Sequence, residues 1–167
     1  LNSANLLEIT SEGDLLSSSS KRLGEVMKMG TGAIEIKSGY GLSLEGELKM
    51  LRVIKRLQES FNIPIKSTFL GAHALPKKYK HKKDQYLNLI INEMLPNIRE
   101  EQLAEYIDIF CETNYFSVDD MQKVIEAGHK YGLKTEVHVN QFTSIGGIQK
   151  AIESVSYTHL TLPTNGE

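Results

Sequence analysis

The chain has 167 residues, a formal net charge of −2, 40% hydrophobic and 24% charged residues. That length carries one domain with a core, the charge balance argues against a dedicated nucleic-acid surface, and no apolar run approaches the roughly 20 residues of a membrane span. The single cysteine, Cys111, can form no internal disulfide, which points to a reducing, cytoplasmic compartment.

Residues 1–10 (LNSANLLEIT) read as a segment that begins in mid-fold, with neither an initiating Met nor a signal peptide. A helix is predicted over Glu12–Met29, with Leu15, Leu16, Leu23, Val26 and Met27 on one side and Gly30 as its stop. Strand Ala33–Lys37 alternates Ile34 and Ile36 with Glu35 and Lys37. The turn Ser38-Gly39-Tyr40-Gly41 follows. Ser43 then caps a helix with Glu45 and Glu47 in its first turn and Leu44, Leu48, Leu51, Ile54 and Leu57 at helical spacing.

After Pro64 comes strand Ile65–Leu70, then an excursion over Gly71–Lys83. A helix over Asp84–Met94 follows, with Pro96 beyond its end. Strand Tyr106–Phe110 leads to Ser117-x-x-Asp120, a capping pattern for a helix that ends near Gly132. Strand Lys134–Val139, the pair Gly146-Gly147 and a short last helix complete the order α-β-α-β-α-β-α-β-α. Such alternation predicts an α/β fold of about four consecutive βα units with parallel strands. That is too few to close a (β/α)8 barrel of about 250 residues, so the chain is a small open sheet or a partial TIM-like barrel. The final stretch, SVSYTHLTLPTNGE, breaks every pattern. Residues 1–153 are therefore read as the catalytic fragment, and 154–167 as an aberrant tail, non-native or disordered.

Polar residues just past strand ends are where such folds place chemistry. His138, with Glu136 and Asn140 on the same strand face, is either a metal ligand or a hydrogen-bonded core histidine. His73 follows two small residues and can serve as ligand, donor or acid/base, or as a plain loop histidine. Tyr40 between two glycines is a pocket contact or an aromatic lid. Glu112 lines the mouth or pairs with a lysine. Cys111 reads as a small buried hydrophobe, and His129, near a helix C-terminus, as structural. The run 77–83 (KKYKHKK) is a solvated loop or a source of positive potential for an anionic substrate. Nucleotide-loop, nucleophile-elbow and Cys-x-x-Cys patterns are absent.

Taken together and in order, EIKSGYGL (35–42), TFLGAHALP (68–76), DIFCE (108–112) and EVHVNQF (136–142) resemble the imidazolonepropionase family of the amidohydrolase superfamily, over about residues 6–153. The resemblance implies a distorted (β/α)8 barrel that binds zinc or iron and opens the ring of a small molecule, 4-imidazolone-5-propanoate, to N-formimino-L-glutamate. It implies a homodimeric parent; no nucleic-acid or membrane partner is expected, from the charge balance and the lack of an apolar span. By motif, His138 becomes the metal ligand. Tyr40 becomes a contact to the substrate's polar end, His73 a contact to the ring or its carbonyl, and Gln141 a substrate contact at a position the family fills with Glu or Gln.

This chain departs from the family in two places. The His-x-His pair of the superfamily belongs before Tyr40, yet the first histidine here is His73. The late-strand aspartate belongs beyond residue 167. That leaves one ligand of the ~4 a zinc site holds, so the fragment alone is expected to be inactive. In the tail, Ser156-Tyr157-Thr158-His159-Leu160 imitates the family's Ser-x-Asp-His-Leu out of register, which makes His159 a catalytic candidate in a stretch that reads as foreign. Two other readings stay open: another amidohydrolase such as a heterocycle deaminase, and a non-catalytic half-barrel binding module.

Overall fold

A computed structural model describes residues 2–154. The tail from residue 155 on, including His159, lies outside the described residues.

Four βα steps build one parallel sheet. β1 (Ile34–Lys37) pairs with β2 (Ile65–Ala72), and β2 pairs with β3 (Tyr106–Cys111). On its other side β3 takes both β4 (Lys134–Thr135) and β5 (His138–Val139). Spatial order follows sequence order, β1-β2-β3-β4, without the reversal that marks a doubly wound sheet. Parallel neighbours joined by right-handed crossovers in sequential order carry their helices on one face. This is the α/β arrangement of a partial TIM-like barrel.

Local signals explain most elements. α1 (Asn2–Ile9) precedes α2 (Glu12–Lys28), whose N-cap Ser11 accepts a hydrogen bond from the Asp14 amide. α3 (Leu44–Ser60) starts at Ser43, which accepts from Gly46 N, and buries Leu48, Leu51, Ile54 and Leu57. α6 (Val118–Lys130) opens with the reciprocal Ser117–Asp120 capping box. α7 (Gly147–Ser154) closes the described chain. The strand residues Ile36, Phe69, Ile107, Ile109, Cys111 and Val139 alternate onto the helix side and pack against these helices. Each fully buried large apolar side chain there contributes about 1.5–3 kcal/mol.

Three elements differ from the sequence expectation. The helix expected to end at Met94 continues: α4 (Lys83–Leu89) passes through a π turn (Ile90–Met94) into α5 (Leu95–Glu101). Pro96 has no N–H and its ring crowds the carbonyl four residues back, and the widened turn relieves both conflicts. The expected strand over 134–139 is interrupted at Glu136–Val137, although both halves keep one register against β3 (Tyr106↔Lys134, Phe110↔His138). α1 was not anticipated. Its C-terminal carbonyls are held by Lys49 Nζ, which donates to Leu7 O, Glu8 O and Thr10 O at 2.9–3.2 Å. Those bonds span about 40 positions in sequence, beyond any local pattern. No helix among the described residues is long and apolar enough to cross a membrane.

Candidate active site

On the sheet face opposite the helices, Glu35, Lys37, Thr68, Asp108, Glu136 and His138 share one side by strand alternation and register. Lys37 Nζ contacts Glu35 and Glu136, and lies 3.2 Å from Asp108 Oδ2. Burial by itself would lower the Lys37 pKa, but its contacts with Glu136, Glu35 and Asp108 outweigh that and hold it above the ordinary lysine value. Glu136 is pushed up, through burial first and then its contact with Glu35. For Glu35 burial acts upward, but its bonds with Glu136, Lys37 and Thr68 bring the net shift below the ordinary carboxyl value.

Asp108 is fully buried and His138 is 45% exposed on its side chain. The Asp108 Oδ1 atom accepts from Ile109 N at 2.7 Å. Its Oδ2 lies 2.7 Å from His138 Nδ1, a close charge contact without the alignment of a hydrogen bond. A carboxylate at Nδ1 leaves Nε2 as the coordinating nitrogen, the arrangement that orients metal-binding histidines. His138 thus fits a role as one imidazole ligand to zinc or iron. Among the described residues no group of three or more His, Cys, Asp or Glu is arranged to hold a metal ion.

The loop after β1 presents Tyr40. Gly39 has φ +104°, and a Cβ there would lie 2.7 Å from Leu70 O and 3.2 Å from His73 Cβ. Gly41 packs backbone to backbone on α3, where a Cβ would lie 2.3 Å from the carbonyl carbon of Gly46. The loop therefore sits against both β2 and α3. At the end of β2 the pairing with β3 shifts by one residue between Phe69 and Ala72, a bulge that re-aims the chain. His73 follows it. Its Nδ1 is 3.0 Å from Gly39 O, and its ring meets Tyr40 edge-on, with centroids 5.1 Å apart. The next ring is Phe110, 6.3 Å from His73, and Phe110 in turn contacts Tyr115 and Phe142. Phe110 is also the ladder partner of His138.

Tyr40 and His73 therefore follow the C-terminal ends of β1 and β2, and His138 opens β5 beside Phe110, near the C-terminal end of β3. Gln141 comes after Asn140, whose φ of +54° turns the chain past β5. Its side chain is exposed, and the structure gives it no hydrogen bond to the other three.

Of the two expectations for Glu112, the lysine pairing does not form among the described residues. It lines a hollow with Tyr115 and Phe142 at the C-terminal end of β3, and its carboxylate ties that end to the loop after β5. Its carboxylate accepts from Thr143 Oγ1, Phe142 N (2.9 Å), Thr113 N (2.8 Å) and Thr143 N (3.2 Å). These bonds, the Thr143 hydroxyl foremost, hold its pKa down to about 2. A depressed carboxyl stabilises the fold above its unfolded pKa of about 4.3. Here that contribution should fade as pH falls from there through about 2. A carboxyl-carbon NMR titration is expected to show this low midpoint, with the Phe142 amide shift following it. A midpoint near the free glutamate value would show that the loop bonds do not form.

Other candidates settle as structural. Cys111 is fully buried, and burial, then Glu112 and Asp120, push its thiol up to about 11, unsuited to a nucleophile. His129 Nε2 meets Thr135 Oγ1 at 2.7 Å. In the basic run, Lys77–Tyr79 form a 3-10 turn and Lys83 pairs with Asp120, while Lys77, Lys78, Lys80 and Lys82 are exposed. Sequence reasoning missed Lys37, Asp108 and Glu47. The signal for the first two was present: inward-facing charges in strands otherwise built of Ile and Phe.

No protein-family model matches the chain. Curated relatives do. An imidazolonepropionase of Flavobacterium psychrophilum is 58% identical over 167 residues, covering 99% of this chain and 41% of the relative. One of Christiangramia forsetii is 57% identical, with 96% and 39% covered. One of Alkaliphilus oremlandii is 41% identical, with 96% and 38% covered. The chain thus spans about two-fifths of the length of the curated relatives it matches. Near-complete coverage at such identity, on a parallel α/β sheet with its polar residues along one rim, means that this chain belongs to the imidazolonepropionase family, as a fragment.

Proposed function

We infer that this segment supplies part of the active site of a metal-dependent hydrolase that opens 4-imidazolone-5-propanoate at a cyclic amide C–N bond. The observation that carries this is the run of Tyr40, His73 and Phe110 in ring contact, with His138 opposite Phe110 in the ladder. In this reading the Tyr40 hydroxyl binds the propionate end. His73 donates from Nδ1 to Gly39 O, so in its imidazolium form its Nε2–H is a second donor, placed for the ring carbonyl, where it stabilises charge that develops on oxygen. Gln141 supplies a neutral amide contact to the ring. His138, oriented by Asp108, is one of the metal ligands.

A zinc or iron ion supplies Lewis-acid polarisation and a lowered water pKa. Its remaining ligands, and the residue that moves the proton to the departing nitrogen, come from outside residues 2–154. His159 stays a candidate for that transfer. Location in the cytoplasm and a homodimeric parent rest on the lone cysteine and on the family, respectively.

The test is turnover by the full-length protein on 4-imidazolone-5-propanoate, other cyclic amides and aminopurines. Hydrolysis of the first is expected. Activity confined to the aminopurines would establish a heterocycle deaminase instead.

A further inference from the structure

Glu47 is a buried carboxylate that the reaction does not use. It is fully buried, and it makes no ion pair among the described residues. The hydrogen-bond partners of its carboxylate are backbone amides of the loop that carries Tyr40. Its Oε2 atom accepts from Gly39 N at 2.8 Å, and its Oε1 atom from Gly41 N at 2.8 Å and Leu42 N at 2.9 Å. These amides flank Tyr40 on both sides. The loop wraps the carboxylate as a backbone nest wraps an anion.

A buried charge without such partners is costly, so the loop conformation and the carboxylate stabilise each other. The same loop carries Gly39 O, which faces His73 Nδ1 at 3.0 Å. The half-exposed Tyr40 ring rests edge-on against His73. Anything that loosens the loop therefore shifts both side chains together. An ordinary helix cap would bond to its own helix. The Glu47 carboxylate instead directs its three bonds to the preceding loop, and the cap of α3 is made by Ser43.

We propose that Glu47 is a positioning residue, which fixes Tyr40 and His73 in their joint geometry by anchoring the Gly39–Leu42 loop. This deepens the reading above and rests on it for the roles of Tyr40 and His73. Glu47 has no hydrogen bond to either side chain; its bonds reach them through the loop backbone.

The experiment compares the full-length protein with its Glu47→Gln and Ser43→Ala variants. Glutamine has the same shape but turns an NH2 group toward at least one loop amide. Ser43→Ala weakens the same helix end without touching the loop bonds. Hydrogen exchange, read by mass spectrometry on peptides spanning residues 38–42, should quicken by about tenfold or more in Glu47→Gln, as lost charge-assisted bonds require. KM for 4-imidazolone-5-propanoate should rise by about the same factor while kcat changes less, the mark of a lost binding contact. Ser43→Ala should lower the melting temperature and leave both readouts alone. Unchanged exchange in Glu47→Gln, or an equal KM rise in Ser43→Ala, overturns the proposal. If the unmodified protein does not turn over this substrate, the functional reading fails, and the exchange comparison still decides whether Glu47 holds the loop.

Discussion

Replacing Lys37 with methionine is expected to destabilise the protein by about 2–3 kcal/mol, one of the largest losses from a single side chain here. Methionine keeps the length of the stem and removes only the charge. Three carboxylates then face one another: Asp108, fully buried, with Glu35 and Glu136, each about one-third exposed. Removing one partner of a fully buried pair costs about 3–5 kcal/mol, and the exposure of Glu35 and Glu136 reduces that through solvent screening. A loss of this size lowers the melting temperature by roughly 5–10 °C in a chain of this length.

The deficit should also depend on pH. Without the lysine, Glu35 and Glu136 lose the cation that favours their charged forms and hold protons more tightly in the folded state than when unfolded, so the variant recovers as pH falls toward about 4–5. Melting curves at several pH values read both effects. An unchanged melting temperature at neutral pH would mean that the lysine does not offset the acidic cluster.

Gly41→Ala is expected to cost about 3 kcal/mol, for a steric reason alone. The methyl group would lie 2.3 Å from the Gly46 carbonyl carbon and 2.6 Å from Glu47 N. Both are helix backbone and cannot rotate aside. The loop must lift from α3, which breaks the Gly41 and Leu42 bonds to Glu47. Tyr40 moves with it. Lower stability and faster exchange at residues 38–42 are expected together. A variant that melts like the parent would show that the loop and α3 are not in contact.

Much of this architecture could be read from local sequence. The Ser43 and Ser117 caps, the helical spacing of Leu48, Leu51, Ile54 and Leu57, and the alternation in β1 are short-range patterns, and each produced its element. Pro96 misled because a proline usually ends a helix, whereas a π turn lets this one continue. The break at Glu136–Val137 escaped notice because the chain on both sides stays in register with β3.

The site was legible in its residue types and not in its supports. Tyr40 and His73 stand beside glycines and small residues at strand ends, which is a visible signal. The supports are relations between distant segments: Lys37 meets Glu136 across 99 positions, and Glu112 meets Phe142 across 30. Glu47 was readable as a first-turn helix carboxylate, and only the fold reveals that it faces the loop behind it.

The central claim is that the rim residues of this segment act on an imidazolone ring. The most direct measurement is kcat/KM of the full-length protein on 4-imidazolone-5-propanoate, with and without His73→Ala. The account predicts turnover by the parent and a fall of roughly 10²–10³ in the variant, as loss of a donor to the developing oxyanion requires, with folding retained. Equal kcat/KM in the two proteins would contradict it.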